Sequence, residues 1–436
     1  MANPAPSSTS LGLGYLWPVD DVELGQVRER LEVFAGQVFA SLPRRDQQDK
    51  GATYLRGLLL DGARKSMQPM AARLGVDHQG LQQFVTSSTW DVAPVRAALA
   101  ARAVDVVGPD AWVVDDTGFP KDGTASPGVA RQYSGTLGKV GNCQIAVSVH
   151  AATDAASAPL DWRLFLPARW DPAHAEDEEA GDLVRDRRAR ASIPDEVAHR
   201  PKWQLALDMI DELATWGQRP PALCADAGYG NNGDFRHGLA TRGLSYIVQV
   251  EDDLTAFALD AAPVAKAYPG VGPYPKPRYR TAPIPLHEHI ATAVRQGSAQ
   301  VVDLSWRRGS RGTMTGTFVA IRVRPAGRSR THRLNPDGTL EPAWLLAQWP
   351  DGAPEPVQYW LSNLGEDTPI AELVRLGKIR WRIEHDYREL KQALGLDHFE
   401  GRTFAGWHRH VTPVSAAHLF ATTLRTDADP KAPGAA

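Results

Sequence analysis

Four carboxylates stand where chemistry is possible. Asp115 and Asp116 close the apolar run AWVV, Asp226 follows PALCA, and Glu384 sits within GKIRWRIEHDYRELKQAL. Carboxylate oxygens are hard donors of the kind that hold Mg2+ or Mn2+. Each acid alone also has a plainer reading. An aspartate after a strand is commonly a turn or cap residue. Glu384 belongs to a line, Arg380, Glu384, Arg388 and Lys391, at i, i+4, i+8 and i+11, which a salt-bridge ladder on a solvated helix face also explains. Their company favours chemistry: two apolar strands each run straight into an acid, and in a mixed α/β sheet the strand ends are where ligand sites gather.

The elements that must position these acids follow from periodicity. AWVVDDTGF, CQIAVSVHAAT and APLDWRLFLP read as a three-stranded antiparallel meander. PKWQLALDMIDELATWG reads as a helix, and strand PALCADAG, helix NNGDFRHGLATRG and strand LSYIVQV alternate in a way that calls for parallel strands. Leu376, Ile379, Ile383, Tyr387, Leu390 and Leu394 step by three or four, predicting one long helix from about Pro369 to Leu394 with Glu384 at the edge of its buried stripe. An apolar helix, VTPVSAAHLFATTL, closes the chain. The fold class is therefore α/β, a mixed sheet over about 106–250 and 357–424.

Three other stretches flank that sheet. Residues 21–105 show helical spacing, with Met70, Leu74, Val76, Leu81 and Phe84 around Gly75 laid out as a helix-turn-helix whose second helix starts near Asp77. Residues 251–356 are proline-broken and then strand-like, a β-rich insertion between Asp226 and Glu384. From Arg295 to Arg333 it carries nine arginines against one acid, Asp303, and Arg322 and Arg324 share a strand face, so this patch is expected to track a phosphate backbone. Residues 1–20 and 425–436 read as a flexible lead-in and tail.

Composition sets the limits. The 436 residues are 43% hydrophobic and 23% charged, which excludes a disordered, collagenous or disulfide-stapled chain. Cys143 and Cys224 lack a CxxC pattern, and no run of about 18 apolar residues predicts a membrane span. A cytoplasmic protein without membrane contact is expected. Net charge is −3, so nucleic-acid binding must come from local patches. The pairs His287/His289 and His408/His410 read as structural, GYGNNG as a turn beside Asp226, and Trp381 and Trp407 as core.

The acids and blocks together resemble the DDE transposases of bacterial insertion sequences, in the group whose last acid lies in an R-x3-E-x6-K helix. Arg380, Glu384 and Lys391 match that spacing, while Gly377 stands where the group has Tyr. VVDDTGFPKDG, GVARQYSGTLGKVGNCQ, CADAGYGNNGDFR and IRWRIEHDYRELKQALGLDHFEGRTFAGWHRHVT are similar to the group's blocks, in its order. The resemblance implies an RNase H-like fold and assigns Asp116, Asp226 and Glu384 as catalytic and metal-binding, with Asp116 preferred over Asp115 because it precedes Thr117. It also implies two Mg2+ or Mn2+ ions and double-stranded DNA as partner, both the terminal inverted repeats and a target. Arg380, Lys391, Arg388, Arg322 and Arg324 would then contact DNA, and a homodimer would join two ends near the nucleoid. A domesticated, non-cleaving DNA-binding protein and a nuclease without strand transfer are the alternatives.

Overall fold

A computed structural model describes residues 21–428 except 269, 273, 276, 310, 311, 328–333 and 336. The predicted helical region holds five helices: α1 (Asp21–Val38), α2 (Arg45–Leu59), α3 (Met67–Leu74), α4 (His78–Thr86) and α5 (Val92–Val107). The α3–α4 hairpin turns at Gly75, whose φ of +66° suits a residue without Cβ. Asp77 then caps α4 by accepting from the Gln79 N–H at 3.0 Å. Met70, Leu81 and Phe84 are buried as expected, but Val76 is 42% exposed because it lies in the turn itself. These helices are not a separate module. They share one core with the sheet and the last helix, and buried polar contacts pin them there. Arg96 of α5 pairs with Asp161 at 3.1 Å, and the Tyr54 hydroxyl meets His410 Nδ1 at 2.8 Å. Breaking a buried pair such as Arg96–Asp161 costs about 3–5 kcal/mol.

The expected meander is present as β1 (Ala111–Pro120), β3 (Lys139–Ala152) and β4 (Ser157–Leu164), joined by a short strand, β2 (Ala130–Ser134), that periodicity did not predict. β3 is antiparallel to β1 from Ala111↔Ala152 to Pro120↔Cys143, and β2 and β4 also pair with it. Helices α6 (Glu178–Arg190) and α7 (Lys202–Thr215) carry the chain back. Then come β5 (Leu223–Ala225), α8 (Ala227–Gly230), α9 (Gly233–Thr241) and β6 (Tyr246–Val250), with β1, β5 and β6 parallel. A strand order β4-β3-β1-β5-β6 with β3 reversed is that of an RNase H-like fold.

The insertion contains β7 (Thr255–Ala258), β8 (Ile284–Pro285), α10 (Leu286–Gln296), β9 (Gln300–Gly309), β10 (Gly312–Pro325) and β11 (Ala343–Gln348). It does not fold apart. Strand β12 (Gln358–Ser362) pairs with β6 on one edge and β11 on the other, so the insertion prolongs the same sheet to twelve strands. Continuing the sheet satisfies an edge that would otherwise present open N–H and C=O groups.

The long C-terminal helix predicted over 369–394 is two helices, α11 (Ile370–Lys378) and α12 (Trp381–Gln392). Between them the N–H of Ile379, Arg382 and Ile383 bond back three residues, to Leu376, Ile379 and Arg380. Such i→i+3 bonds tighten the turn and redirect the chain. α11 lays Leu373, Val374 and Leu376 against the sheet, in one apolar cluster with Val113, Ile379 and Ile383. Gly377 faces the sheet too: a Cβ there would meet Ile247 and the Trp360 indole at 3.4 Å, so Trp360 fills the space where a larger residue would lie. The last helix, α13 (Phe404–Ala428), runs beyond the end assigned to it, and Arg425, read as the start of the tail, pairs with Glu389.

Candidate active site

β1 and β5 bring the aspartates level. Their register pairs Val114 with Ala225, so Asp115 and Asp226 follow one step further along neighbouring strands. Asp226 caps α8, accepting from the Tyr229 N–H at 3.3 Å. Within the glycine-rich GYGNNG, Gly230 lets α8 lie close against β6, since a Cβ there would collide with the Gln249 carbonyl. α12 adds Arg380, at its N-cap, with Glu384, Tyr387, Arg388 and Lys391. All of these, with Asp115, Asp116 and Lys202, line one cavity of about 740 Å3. The charged line therefore runs along a cavity wall, and its Arg380–Glu384 step is also an i,i+4 ion pair.

Successive β1 residues face opposite ways, and α12 lies on the side of Val113 and Asp115. Asp115 accepts from Arg380 Nη1 at 2.7 Å, and the other Arg380 nitrogen, Nη2, reaches Glu384 at 3.1 Å. Asp116 instead meets Lys202 Nζ at 2.9 Å and the Tyr229 hydroxyl at 3.4 Å. Strand alternation thus puts Asp115, not Asp116, on the face shared with Glu384, although both line the cavity. The Asp115 side chain is 10% exposed, against 62% for Glu384.

Burial pushes the Asp115 carboxyl up to about 7, with Asp226 and Asp116 adding to the rise and Arg380 opposing it. Burial also raises Asp226. Lys391 donates to the Gly118 carbonyl at 2.8 Å and to Thr136 Oγ1 at 3.0 Å, and burial brings it down to about 8. Arg388 is exposed and has no ion-pair partner among the described residues.

The far side of α12 is bolted down. Asp386 accepts from His150 Nδ1 at 2.8 Å and from Ser157 Oγ at 2.6 Å, and Glu389 pairs with Arg425 and His418. Burial works to raise the Asp386 carboxyl, but His418 and His150 outweigh it and hold it well below the usual range.

Arg322 and Arg324 do not reach the cavity. Arg324 donates to the backbone carbonyls of Leu259 and Leu340, and Arg322 lies 5.1 Å from the Trp344 ring centre. Arg311, Arg328, Arg330 and Arg333 lie outside the described residues, as does the side chain of Arg308. Trp407 is core, but Trp381 is only half-buried, with the Arg307 guanidinium 3.9 Å over its ring. The histidine pairs are structural: His289 and His410 bond the carbonyls of Ala256 and Gly395. Lys202, Tyr133 and Thr136 were not anticipated at the site. Lys202 opens α7 just after Pro201, which signals a helix start but not a pocket.

The donor set suits a hard divalent ion, being all carboxylate oxygen. Among the described residues no three acidic, His or Cys side chains stand close enough to cage one, and Arg380 and Lys202 meet the charge of the carboxylates instead.

An RNase H-like sheet with acids on β1, after β5 and on a C-terminal helix defines a class, and comparison with known sequences agrees. The chain belongs to the family of DDE superfamily endonucleases, matched by residues 37–313. It is also similar to a probable transposase for insertion sequence element IS701 from Microchaete diplosiphon, 29% identical over 201 residues. Those residues are 45% of this chain and 47% of that protein, so the chain spans about half the length of this relative. The family match ends before Glu384. The third acid therefore rests on the R-x3-E-x6-K spacing and its place in the cavity.

Proposed function

We propose that the chain is an insertion-sequence transposase, which cuts DNA at the element's terminal inverted repeats and joins the freed 3'-hydroxyl to target DNA. One observation carries this reading: Asp115, Asp116, Asp226 and Glu384 line a single cavity with Arg380, Arg388 and Lys391. Asp226 and Glu384, with either Asp116, as the Asp-Thr resemblance assigns, or Asp115, as its place on the Glu384 face favours, would hold two Mg2+ or Mn2+ ions. When bound, such ions activate the attacking oxygen and stabilise the leaving one in an in-line displacement.

The residues of the chain do the rest. Arg380 holds Asp115 and Glu384 in place through its two nitrogens, which orients α12 against β1. Arg388, exposed and without an ion-pair partner among the described residues, is placed to meet a phosphate, and Lys391 at the Thr136 end is a second cation on the same wall. Lys202 meets the charge of Asp116 on the opposite side of β1. Two ends must be joined, so a homodimer assembled on DNA fits the task, in the cytoplasm at the nucleoid.

The test uses the purified chain with Mg2+ and a plasmid carrying the element's ends. Cuts at the repeat ends followed by joining to a second duplex support the proposal. Cutting without joining leaves a nuclease, and an uncut plasmid refutes both readings.

A further inference from the structure

Tyr387 lines the cavity one turn beyond Glu384, and its hydroxyl is the outer end of a chain of hydrogen bonds that leads into the core. The phenol oxygen lies 2.7 Å from Ser148 Oγ. Ser148 Oγ lies 3.1 Å from His150 Nε2, and His150 Nδ1 lies 2.8 Å from Asp386 Oδ2. Ser148, His150 and Asp386 are all buried. Buried this way, Ser148 is no covalent nucleophile despite its Ser-His-Asp arrangement.

Donor and acceptor roles run one way along the chain. Arg382 Nε, which can only donate, bonds Ser157 Oγ at 3.3 Å. The Ser157 hydrogen is thereby left for Asp386 Oδ1 at 2.6 Å. Asp386 is thus an acceptor, and its second oxygen takes the Nδ1 hydrogen of His150. A ring protonated at Nδ1, and kept neutral by burial, accepts at Nε2. Ser148 therefore donates to His150, which leaves its oxygen to accept from the Tyr387 hydroxyl. The Tyr387 hydrogen is thereby directed at Ser148, which leaves the phenol oxygen as an acceptor on a residue that lines the cavity. Packing fixes the ring: His150 lies edge-on at 5.6 Å and Trp162 at 6.0 Å between centres.

We infer that Tyr387 is a catalytic residue that accepts a hydrogen bond from the O–H of the attacking nucleophile, water in cleavage and a DNA 3'-hydroxyl in joining, while Ser148, His150 and Asp386 are positioning residues that set its polarity. This inference rests on the proposed function. The bond orients an oxygen lone pair of the nucleophile for attack, and no proton leaves the phenol. An outward-facing donor would instead compete for the same lone pair.

The test is a double-mutant cycle on the full chain with duplex DNA and Mg2+, reading the single-turnover cleavage rate and the duplex affinity. Tyr387→Phe keeps the ring and removes the acceptor, and cleavage should slow roughly ten- to hundredfold with affinity unchanged. Ser148→Ala never touches DNA, yet it frees the Tyr387 hydrogen to turn outward and should slow cleavage similarly. The double variant should be no slower than Tyr387→Phe alone, since the two residues act as one unit. Losses that multiply, or parental cleavage by Tyr387→Phe, overturn the inference. Equal duplex affinity distinguishes these outcomes from a lost fold. A parent chain that cuts no duplex overturns the proposed function and this inference together, whereas a parent that cuts alongside an unimpaired Tyr387→Phe overturns the inference alone.

Discussion

Asp115 links the electrostatics of the cleft to the stability of the whole chain. Its carboxyl titrates near 3.8 when unfolded and is pushed up to about 7 in the fold, burial being the largest cause. The folded state therefore holds a proton that the unfolded state has released between those two values. This contribution is fully present below about pH 4 and is lost as pH rises through about 7. Three units correspond to about 4 kcal/mol at most. For a chain of 436 residues, each kcal/mol moves Tm by roughly 1 °C, so the contribution is about 4 °C. Asp115→Asn abolishes the titration and leaves a group of the same shape. Thermal unfolding of parent and variant at pH 4 and pH 8 should give a Tm difference, parent minus variant, that falls by about 4 °C from the acid to the alkaline end. A difference that stays constant with pH, or grows as pH rises, would refute the reasoning.

Asp226→Ala and Glu384→Ala should each abolish metal-dependent cleavage while leaving duplex affinity within about threefold, because the lost ligand is separate from Arg388 and Lys391. Asp116→Asn should abolish cleavage, whereas Asp115→Asn should slow it about tenfold through loss of the Arg380 anchor; the opposite ranking moves the first ligand to Asp115. Replacing Arg388 and Lys391 by Gln should lower the slope of log affinity against log salt by roughly one unit each. Arg324→Gln should lower Tm and leave that slope alone, since Arg324 holds two carbonyls, and a flattened slope would restore the insertion strand as a DNA contact. Alanine at Gln79, Gln82 and Gln83, exposed on α4, should reduce preference for the terminal repeat over random duplex; an unchanged ratio makes the hairpin purely structural.

Much of the fold was legible because its signals are local. Apolar runs of strand length, the alternation around PALCADAG and the Gly75 turn each depend on residues a few positions apart, and the structure contains all of them. The R-x3-E-x6-K spacing marked Arg380, Glu384 and Lys391 for the same reason, one helix face being a matter of period. Short-range patterns fail where the deciding partner is distant. The break at Ile379 and Arg380 has no proline to announce it, and Gly377, two residues earlier, lies inside α11; i→i+3 bonds and packing against the sheet impose the break. Strand β2 is polar along most of its length and exists because β3 offers it an edge. Arg322 and Arg324 carry the charge of a DNA contact, but only the fold decided that Arg324 would spend its nitrogens on Leu259 and Leu340. The same holds at the cleft. In sequence the two adjacent aspartates differ only in that Asp116 precedes Thr117, whereas in the fold they differ in what lies on either side of β1: Arg380 and α12 beside Asp115, Lys202 and Tyr229 beside Asp116. Charge and period are properties of the chain, whereas the partner that neutralises a charge is set by which elements the sheet brings together.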